Sequence, residues 1–238
     1  MKYITLFEQQ TAFDNAKSTL DKPNMSLVTE TGNVYSLAVG GGVTYEYVDL
    51  GLSVKWAKCN VGAEKETDAG LYFACCETTG YTASQVGTDK QFSWSDYKYG
   101  NGGSNLTKYN QSDGKTVLKS ADDAVSQIMG SDWRMPTKDE FQELLSNTKK
   151  EWTQVNGVNG YKFTSNKEGY QNNSIFIPAA GRCYDGSVYS VGSDGNVWSS
   201  SLNTSSPDGA WYLYFNSGNC YMSYKYRCSG LSVRGVRK

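Results

Sequence analysis

The chain contains no histidine. That absence removes the most frequent general base and the usual imidazole ligand of zinc, copper and haem. An excess of one charge is missing as well. Lys plus Arg number 23 against 24 for Asp plus Glu, a formal charge of -1, so no uniform field exists to hold nucleic acid or an anionic membrane. Long apolar runs are absent. Nothing approaches the roughly 18 residues of a membrane span, and no apolar run of the kind that marks a secretory leader follows Lys2. Paired C-x2-C ligands for a thiolate zinc site do not occur. The expectation is a soluble chain without cofactor or nucleic-acid partner, and without a metal held by imidazole or thiolate.

What the chain has is glycine, tyrosine and tryptophan: 25 Gly, 18 Tyr and 6 Trp, beside only 4 Pro. A hydrophobic fraction of 38% with 20% charged residues suffices for a packed core. At 238 residues, a soft prior of roughly 150 residues per domain gives one full domain with an accessory segment, or two small ones. The cysteines Cys59, Cys75, Cys76, Cys183, Cys220 and Cys228 lack regular spacing, and Cys75 and Cys76 are adjacent. Free or buried thiols are expected rather than a disulfide framework.

Residues 1–44 differ from the rest. Phe7, Ala12, Phe13, Ala16 and Leu20 have helical spacing, which Lys22-Pro23-Asn24 breaks. The following MSLVTETGNVYSL reads as a hairpin around Thr31-Gly32-Asn33, and Gly40, Gly41 and Gly42 make a flexible joint. This is read as an attachment or oligomerisation segment ahead of one domain over 45–238.

That domain is loop-rich, with two helices. SADDAVSQIM, Ser120–Met129, offers a Ser cap and two aspartates for the first turn. In MPTKDEFQELLSNT, Thr137 is the N-cap, Glu140 completes a capping box, and Phe141, Leu144 and Leu145 form the buried stripe. Strand signals separated by glycine turns follow in SIFIPAAG, SVYSVGSDGNVWSSSL, AWYLYFNSGNCYMSY and GLSVRGVR. The period-two pattern sends Trp211, Leu213 and Phe215 inward and Tyr212, Tyr214 and Asn216 outward. Pro178 suits an edge strand or a bulge. Trp56, Trp133, Trp198 and Trp211 are expected in the core. Arg134 and Arg234 are expected to tie irregular backbone.

Several strings together resemble a known family. YVDLGLSVKWAKCNVGA (47–63), GLYFACCETTGYT (70–82), SDWRMPTKDEFQELL (131–145), IFIPAAGRCYDGSVYSVGSDGNVWSSSL (175–202) and AWYLYF with GLSVRGVR (210–237) run in the order seen in gut Bacteroides and gut-phage proteins of C-type-lectin-like fold. That family includes variable proteins of diversity-generating retroelements. RMPTKDEF is also similar to a segment of formylglycine-generating-enzyme-type folds, which speaks to fold rather than activity. The resemblance implies an α+β, C-type-lectin-like domain with short antiparallel strands.

In variable members, asparagine codons of a template are rewritten at adenines. The resemblance therefore implies that Ala210, Trp211, Leu213, Phe215, Met222, Arg227 and Gly230 are scaffold. The exchanged positions would be Tyr212, Tyr214, Asn216, Ser217, Gly218, Asn219, Cys220, Tyr221, Ser223, Tyr224, Tyr226, Cys228 and Ser229, all residues such codons yield. Lys225 is not one of those. The residues themselves suggest the same face: Tyr212, Tyr214, Tyr221, Tyr224 and Tyr226 fall within 15 residues, beside Ser, Gly and Asn, which is the composition of antibody paratopes. Cys183, Tyr184, Asp185, Ser187, Tyr189, Asp194 and Asn196 are a candidate margin, so that the variable region covers about 183–231.

Catalysis has little to stand on. A nucleophilic cysteine ordinarily needs a base partner, the Asp122-Asp123 and Asp139-Glu140 pairs sit where helix capping explains them, and the copper-site pattern of the formylglycine-generating enzymes is absent around Cys220 and Cys228. The calcium triplets of sugar-binding C-type lectins do not occur in the domain. The reading is a non-enzymatic receptor-binding protein of a phage virion, displayed on tail or capsid. Its partners would be a bacterial surface protein or glycan at the variable face and a virion structural protein at residues 1–44, with a homo-oligomer, trimeric or of another order, raising avidity. The alternative is a non-variable surface or scaffold module of the same fold on the bacterial cell.

Overall fold

A computed structural model describes residues 24–28, 34–38, 44–100 and 105–238. The chain divides into two compact units, Met1–Thr44 and Tyr45–Lys238. In the first, strands β1 (Asn24–Val28) and β2 (Val34–Ala38) pair antiparallel with Val28 opposite Val34, the hairpin expected around Thr31-Gly32-Asn33. The helix expected over 7–20 and the joint at 40–42 lie outside the described residues.

The second unit is mostly β with two helices, an α+β arrangement. Its elements in chain order are β3 (Tyr47–Val48), β4 (Lys55–Asn60), β5 (Tyr72–Phe73), α1 (Ala124–Met129), β6 (Trp133–Arg134), α2 (Lys138–Asn147), β7 (Thr148–Val155), β8 (Val158–Ser165) and β9 (Ser174–Pro178). There follow β10 (Arg182–Tyr184), β11 (Ser187–Tyr189), β12 (Asp194–Leu202), β13 (Gly209–Asn216), β14 (Asn219–Tyr226), β15 (Leu231–Ser232) and β16 (Arg234–Arg237). They form a five-stranded sheet in the order β14-β13-β12-β15-β5, a four-stranded sheet β3-β4-β16-β6, a three-stranded sheet β7-β8-β9 and the small ribbon β10-β11. Pro178 ends the edge strand β9, where its missing N–H costs no ladder bond.

Helix α2 forms for the local reasons its sequence advertises. The Thr137 hydroxyl accepts the Glu140 N–H at 3.2 Å while the Glu140 carboxylate accepts the Thr137 N–H at 2.8 Å, and Phe141, Leu144 and Leu145 are buried. Arg134 completes the start of the helix with a two-point bond to Glu140 at 2.7 and 2.5 Å. Burial raises the Glu140 carboxyl, but the bonds from Arg134 and Thr137 outweigh it and hold it below its ordinary 4.5. Because the folded value is the lower one, this stabilisation is complete above pH 4.5 and is lost as pH falls through the folded value. Glu140→Gln is expected to cost about 1–2 kcal/mol at pH 7 and to flatten the acid limb of stability against pH, read by urea melts at a series of pH values.

The other helix is shorter than its sequence suggests. Ser120–Asp122 is a 3-10 turn, and α1 starts at Ala124 with Asp123 as cap, accepting the Ser126 N–H at 2.9 Å. The shift follows from Asp122, which turns inward to accept from Tyr99 (2.9 Å), Tyr109 (2.6 Å) and Lys108 (2.6 Å). A carboxylate so engaged cannot also face a helix end.

Around β12 and the first part of β13 the five-stranded sheet is covered on both faces. Trp198, Ala210 and Tyr212 pack into one cluster with Phe73, Trp133 and Val233. Val197, Leu213 and Phe215 pack on the other side with Phe141 and Leu144 of α2, Phe163 and Ile177 of the three-stranded sheet, and Trp56. Each such fully buried side chain is worth about 1.5–3 kcal/mol. Gly195 on β12 permits the second packing, since a Cβ there would lie 1.8 Å from the Phe215 ring.

This double coverage corrects the inward and outward reading of β13. Tyr212 is buried, 6% exposed, and Trp211 is only half-buried. Trp211 lies under Lys138, whose Nζ stands 3.5 Å from the ring centre. Trp56, Trp133 and Trp198 do lie in the core.

Candidate functional site

Strands β13 and β14 form a hairpin closed by Ser217-Gly218, with Asn216 opposite Asn219. The Asn216 carboxamide oxygen accepts the Gly218 and Asn219 N–H groups at 3.0 and 2.9 Å and fixes the turn. β14 is the edge of its sheet. The pleat divides its side chains. Cys220 and Met222 turn down against the Phe215 cluster, while Tyr221, Ser223 and Lys225 stand on the opposite face, across from Tyr214, Tyr212 and Ala210.

A second hairpin completes that face. In β10-β11 the turn is Asp185-Gly186, with φ of 48° and 72°, the left-handed pair that a two-residue turn of primed type needs. It pairs Arg182 with Tyr189 and Tyr184 with Ser187. Gly181 seats the ribbon against β12: with φ at 71°, a Cβ there would come 2.1 Å from the Tyr189 carbonyl. Its N–H donates to the Asp194 carbonyl at 2.8 Å.

Polar and aromatic groups interlock on this face. Asn216 donates to the Tyr214 hydroxyl at 2.9 Å, and that hydroxyl donates to Asp194 at 3.4 Å. Arg182 stands 3.8 Å from the Asp194 carboxylate and 5.8 Å from the Tyr189 ring centre. The Tyr214 and Tyr221 rings are 5.4 Å apart, and Lys225 lies 5.4 Å from the centre of the Tyr212 ring. Burial, then the neighbouring Arg182, push the Lys225 ammonium below its ordinary value, with Asp194 opposing. Burial and then Asp194 push the Tyr214 hydroxyl up. Two cations share one carboxylate, so the face carries net positive charge among neutral hydroxyl-bearing rings.

Beneath it Asn196, opposite Tyr214 in the register, is buried. Its amide donates to the Gly181 carbonyl at 3.1 Å, while its carboxamide oxygen is buried without a partner among the described residues.

The structure divides the candidate residues into three groups. Tyr214, Asn216, Asn219, Tyr221 and Ser223 share the face with Tyr189 and Asp194, and Ser217 is exposed at the turn. Tyr224 and Tyr226, though 58% and 52% exposed, are offset by an odd number of residues from Tyr221 and project from the other side of the strand. Tyr224 stacks edge-on to Trp211 at 5.9 Å and Tyr226 to Trp94 at 5.9 Å.

The third group is interior. Tyr212, Cys228 and Ser229 are buried, and Cys220 is half-buried against apolar neighbours. Cys228 follows Arg227, whose guanidinium is drawn into the protein and takes the next residues with it. Burial pushes the Cys220 and Cys228 thiols up to about 12, so both are protonated near neutral pH and neither is an activated nucleophile.

Of the margin, Tyr184, Asp185 and Ser187 are exposed at the ribbon tip, Cys183 is wholly buried, and Asn196 lies below the face. Arg182 is the residue the sequence reading missed. Its signal was the Asp-Gly turn, which by counting outward places Arg182 beside Tyr189.

The family model for the Lcl C-terminal domain matches residues 47–237. The chain belongs to this family. Membership marks residues 47–237 as a binding-type module, which agrees with a face built from rings, hydroxyls and one surplus cation. No curated protein matches the chain, and neither does any solved structure. Among the described residues no helix is long and apolar enough to cross a membrane.

Proposed function

We propose that residues 45–238 are a non-enzymatic ligand-binding domain of C-type-lectin-like fold, presenting the Tyr214 face to a protein or glycan on a bacterial surface. We further propose that the chain is a phage virion protein attached through residues 1–44, with a homotrimer multiplying weak single-site affinity. One observation carries the reading. Tyr214, Tyr221, Ser223 and Lys225 converge on one face of an edge hairpin, with Tyr189 of the β10-β11 ribbon beside them and buried Phe215 and Leu213 below. Rigid aromatic anchors on a fixed frame lose little entropy on binding, and adaptable polar neighbours tune the fit. The protonated thiols of Cys220 and Cys228 support a non-catalytic role.

Diversification then concerns a narrower set than the sequence suggested: Tyr214, Asn216, Ser217, Gly218, Asn219, Tyr221, Ser223, Tyr224 and Tyr226. These can be exchanged without opening the core. A near-copy of the 3′ coding bases, differing at adenines and lying beside a reverse-transcriptase gene, is the genomic signature expected. The direct test is retention of the purified chain on a panel of gut bacterial cells. Tyr221→Ala combined with Lys225→Ala is expected to lower retention roughly tenfold or more, while Ile128→Ala at an exposed position of α1, which packs on the four-stranded sheet, leaves it unchanged. Equal retention of both variants would reject the face.

A further inference from the structure

Away from the Tyr214 face, the end of β14 runs into the protein at Arg227, and there the charges do not balance. The Arg227 side chain is fully buried. Its donors go to the Tyr97 hydroxyl at 3.1 Å and to the carbonyls of Tyr109, Pro207 and Lys108 at 2.9, 2.9 and 2.8 Å. All four acceptors are neutral. Among the described residues no carboxylate is hydrogen-bonded to it, and the nearby acids are engaged elsewhere, Asp122 by Lys108, Tyr99 and Tyr109, and Glu77 by Lys90. A guanidinium does not give up its proton in a protein, and a buried cation without a counter-charge is costly.

The ionisable groups beside it are the Tyr97 hydroxyl, whose proton is given to the Cys75 carbonyl, and two thiols. Cys75 and Cys76 are both buried, 1% and 2% exposed, with their sulfurs 3.3 Å apart. They sit on a turn tied to Arg227 itself. The Cys75 N–H donates to the Arg227 carbonyl at 2.8 Å, and the Cys75 carbonyl accepts the Tyr97 hydroxyl at 3.0 Å. Cys76 has φ of 70°, a left-handed conformation that a residue with a Cβ adopts only at a cost. The surrounding hydrogen bonds hold that strain, and the result is to keep the two sulfurs together. Burial raises both thiols. For Cys76 the bond from Cys75 and the Arg227 charge outweigh it, and the net shift is downward; for Cys75 it is upward.

We propose that Cys75 and Cys76, their sulfurs held 3.3 Å apart on a turn tied to the Arg227 backbone, are a peroxide-reactive dithiol, in which Cys76 attacks and Cys75 resolves the product to a disulfide between adjacent residues. The Cys76 thiolate attacks one oxygen of hydrogen peroxide. The O–O bond breaks, hydroxide leaves and is protonated to water, and Cys76 becomes a sulfenic acid. The Cys75 sulfur then attacks the Cys76 sulfur, the S–O bond breaks, and the departing hydroxide takes up the Cys75 proton as a second water. Two thiols and one peroxide give one disulfide and two waters, with two electrons passing from sulfur to peroxide. Hydrogen peroxide exceeds water by a single oxygen, so a small local opening admits it. Adjacent Cα atoms are about 3.8 Å apart, short of the roughly 4.4 Å at which unstrained disulfides begin. The bond is therefore strained and easily reduced, a property of labile rather than structural disulfides.

The test uses the full chain, reduced and desalted, then treated with a few equivalents of hydrogen peroxide. Catalase quenches the reaction, and the chain is denatured in N-ethylmaleimide, digested and mapped by mass spectrometry. The peptide carrying Cys75 and Cys76 is expected to lose both adducts and the mass of two hydrogens about tenfold faster than Cys59 or Cys220 lose theirs. Dithiothreitol should restore it. The order runs against accessibility, because Cys59 and Cys220 are the more exposed thiols but burial raises both. Oxidation of those two first, or a 2-hydrogen loss mapped to any other pair, overturns the proposal. Cys75→Ser should leave a sulfenic acid on Cys76 that dimedone captures. No capture from a variant with the parental circular dichroism spectrum rejects Cys76 as the attacking thiol, and the mapping of the unaltered chain stands whether or not that variant folds.

Discussion

Arg234→Ala is expected to lower folding stability by about 3–5 kcal/mol, seen as a fall in the urea midpoint with an unchanged slope. Arg234 lies wholly buried on β16. Its guanidinium reaches Asn60 at 2.9 Å, the carbonyls of Ala57 and Lys58 on β4 at 2.9 and 2.5 Å, and the carbonyl of Phe176 on β9 at 3.0 Å. One planar group thus ties strands of two different sheets where no backbone ladder joins them. Removing it takes a donor from each of four acceptors and opens a cavity besides; relief of the buried charge offsets only part of that. Burial pushes Arg234 down to about 10, which still keeps it protonated near neutral pH. Arg234→Lys is expected to recover little, because donors radiating from one nitrogen cannot span β4 and β9 together. A lysine variant as stable as the parent chain would show that the charge, and not the fork, does the tying.

The features legible in the sequence were those decided within a few residues. The Thr137 to Glu140 capping box, the stripe of Phe141, Leu144 and Leu145, and the edge position of Pro178 depend on neighbours along the chain, and the structure has them as read. The roles of Arg134 and Arg234 followed from guanidinium geometry. What failed was decided at long range. Period two says that alternate residues face opposite sides, but not that both sides are covered, so nothing local marks Tyr212 as interior and Trp211 as half-buried. Asp122 left its helix for Tyr99, Tyr109 and Lys108, partners separated from it along the chain. The β7-β8 hairpin is different, because its signal was there to read. Asn156-Gly157, with φ of 48° and 83°, is the strongest short turn a sequence offers between two strands. The same oversight at Asp185-Gly186 hid Arg182, which stands at the centre of the candidate site.

The division between frame and face is sharpest at two tyrosines on neighbouring strands. Tyr212 is 6% exposed, packs edge-on to Trp198 at 6.0 Å and lies in the cluster with Phe73 and Trp133. Tyr221 is 48% exposed and meets the protein chiefly through the Tyr214 ring, 5.4 Å away. Tyr212→Ala opens a cavity the size of an aromatic ring in a packed interior and is expected to cost about 3–5 kcal/mol. Tyr221→Ala removes one ring pair and little else, and is expected to cost no more than about 1 kcal/mol. Binding should order the two in the opposite sense. Cell retention per folded molecule falls for Tyr221→Ala and is kept by that fraction of Tyr212→Ala which remains native, a separation that urea melts and retention on the same preparations will measure together. A position free to vary must pass both tests, near-neutral in stability and costly in binding. If Tyr212→Ala melted with the parent chain, the frame would not be where the packing places it, and the set of exchangeable positions would widen again to the whole hairpin.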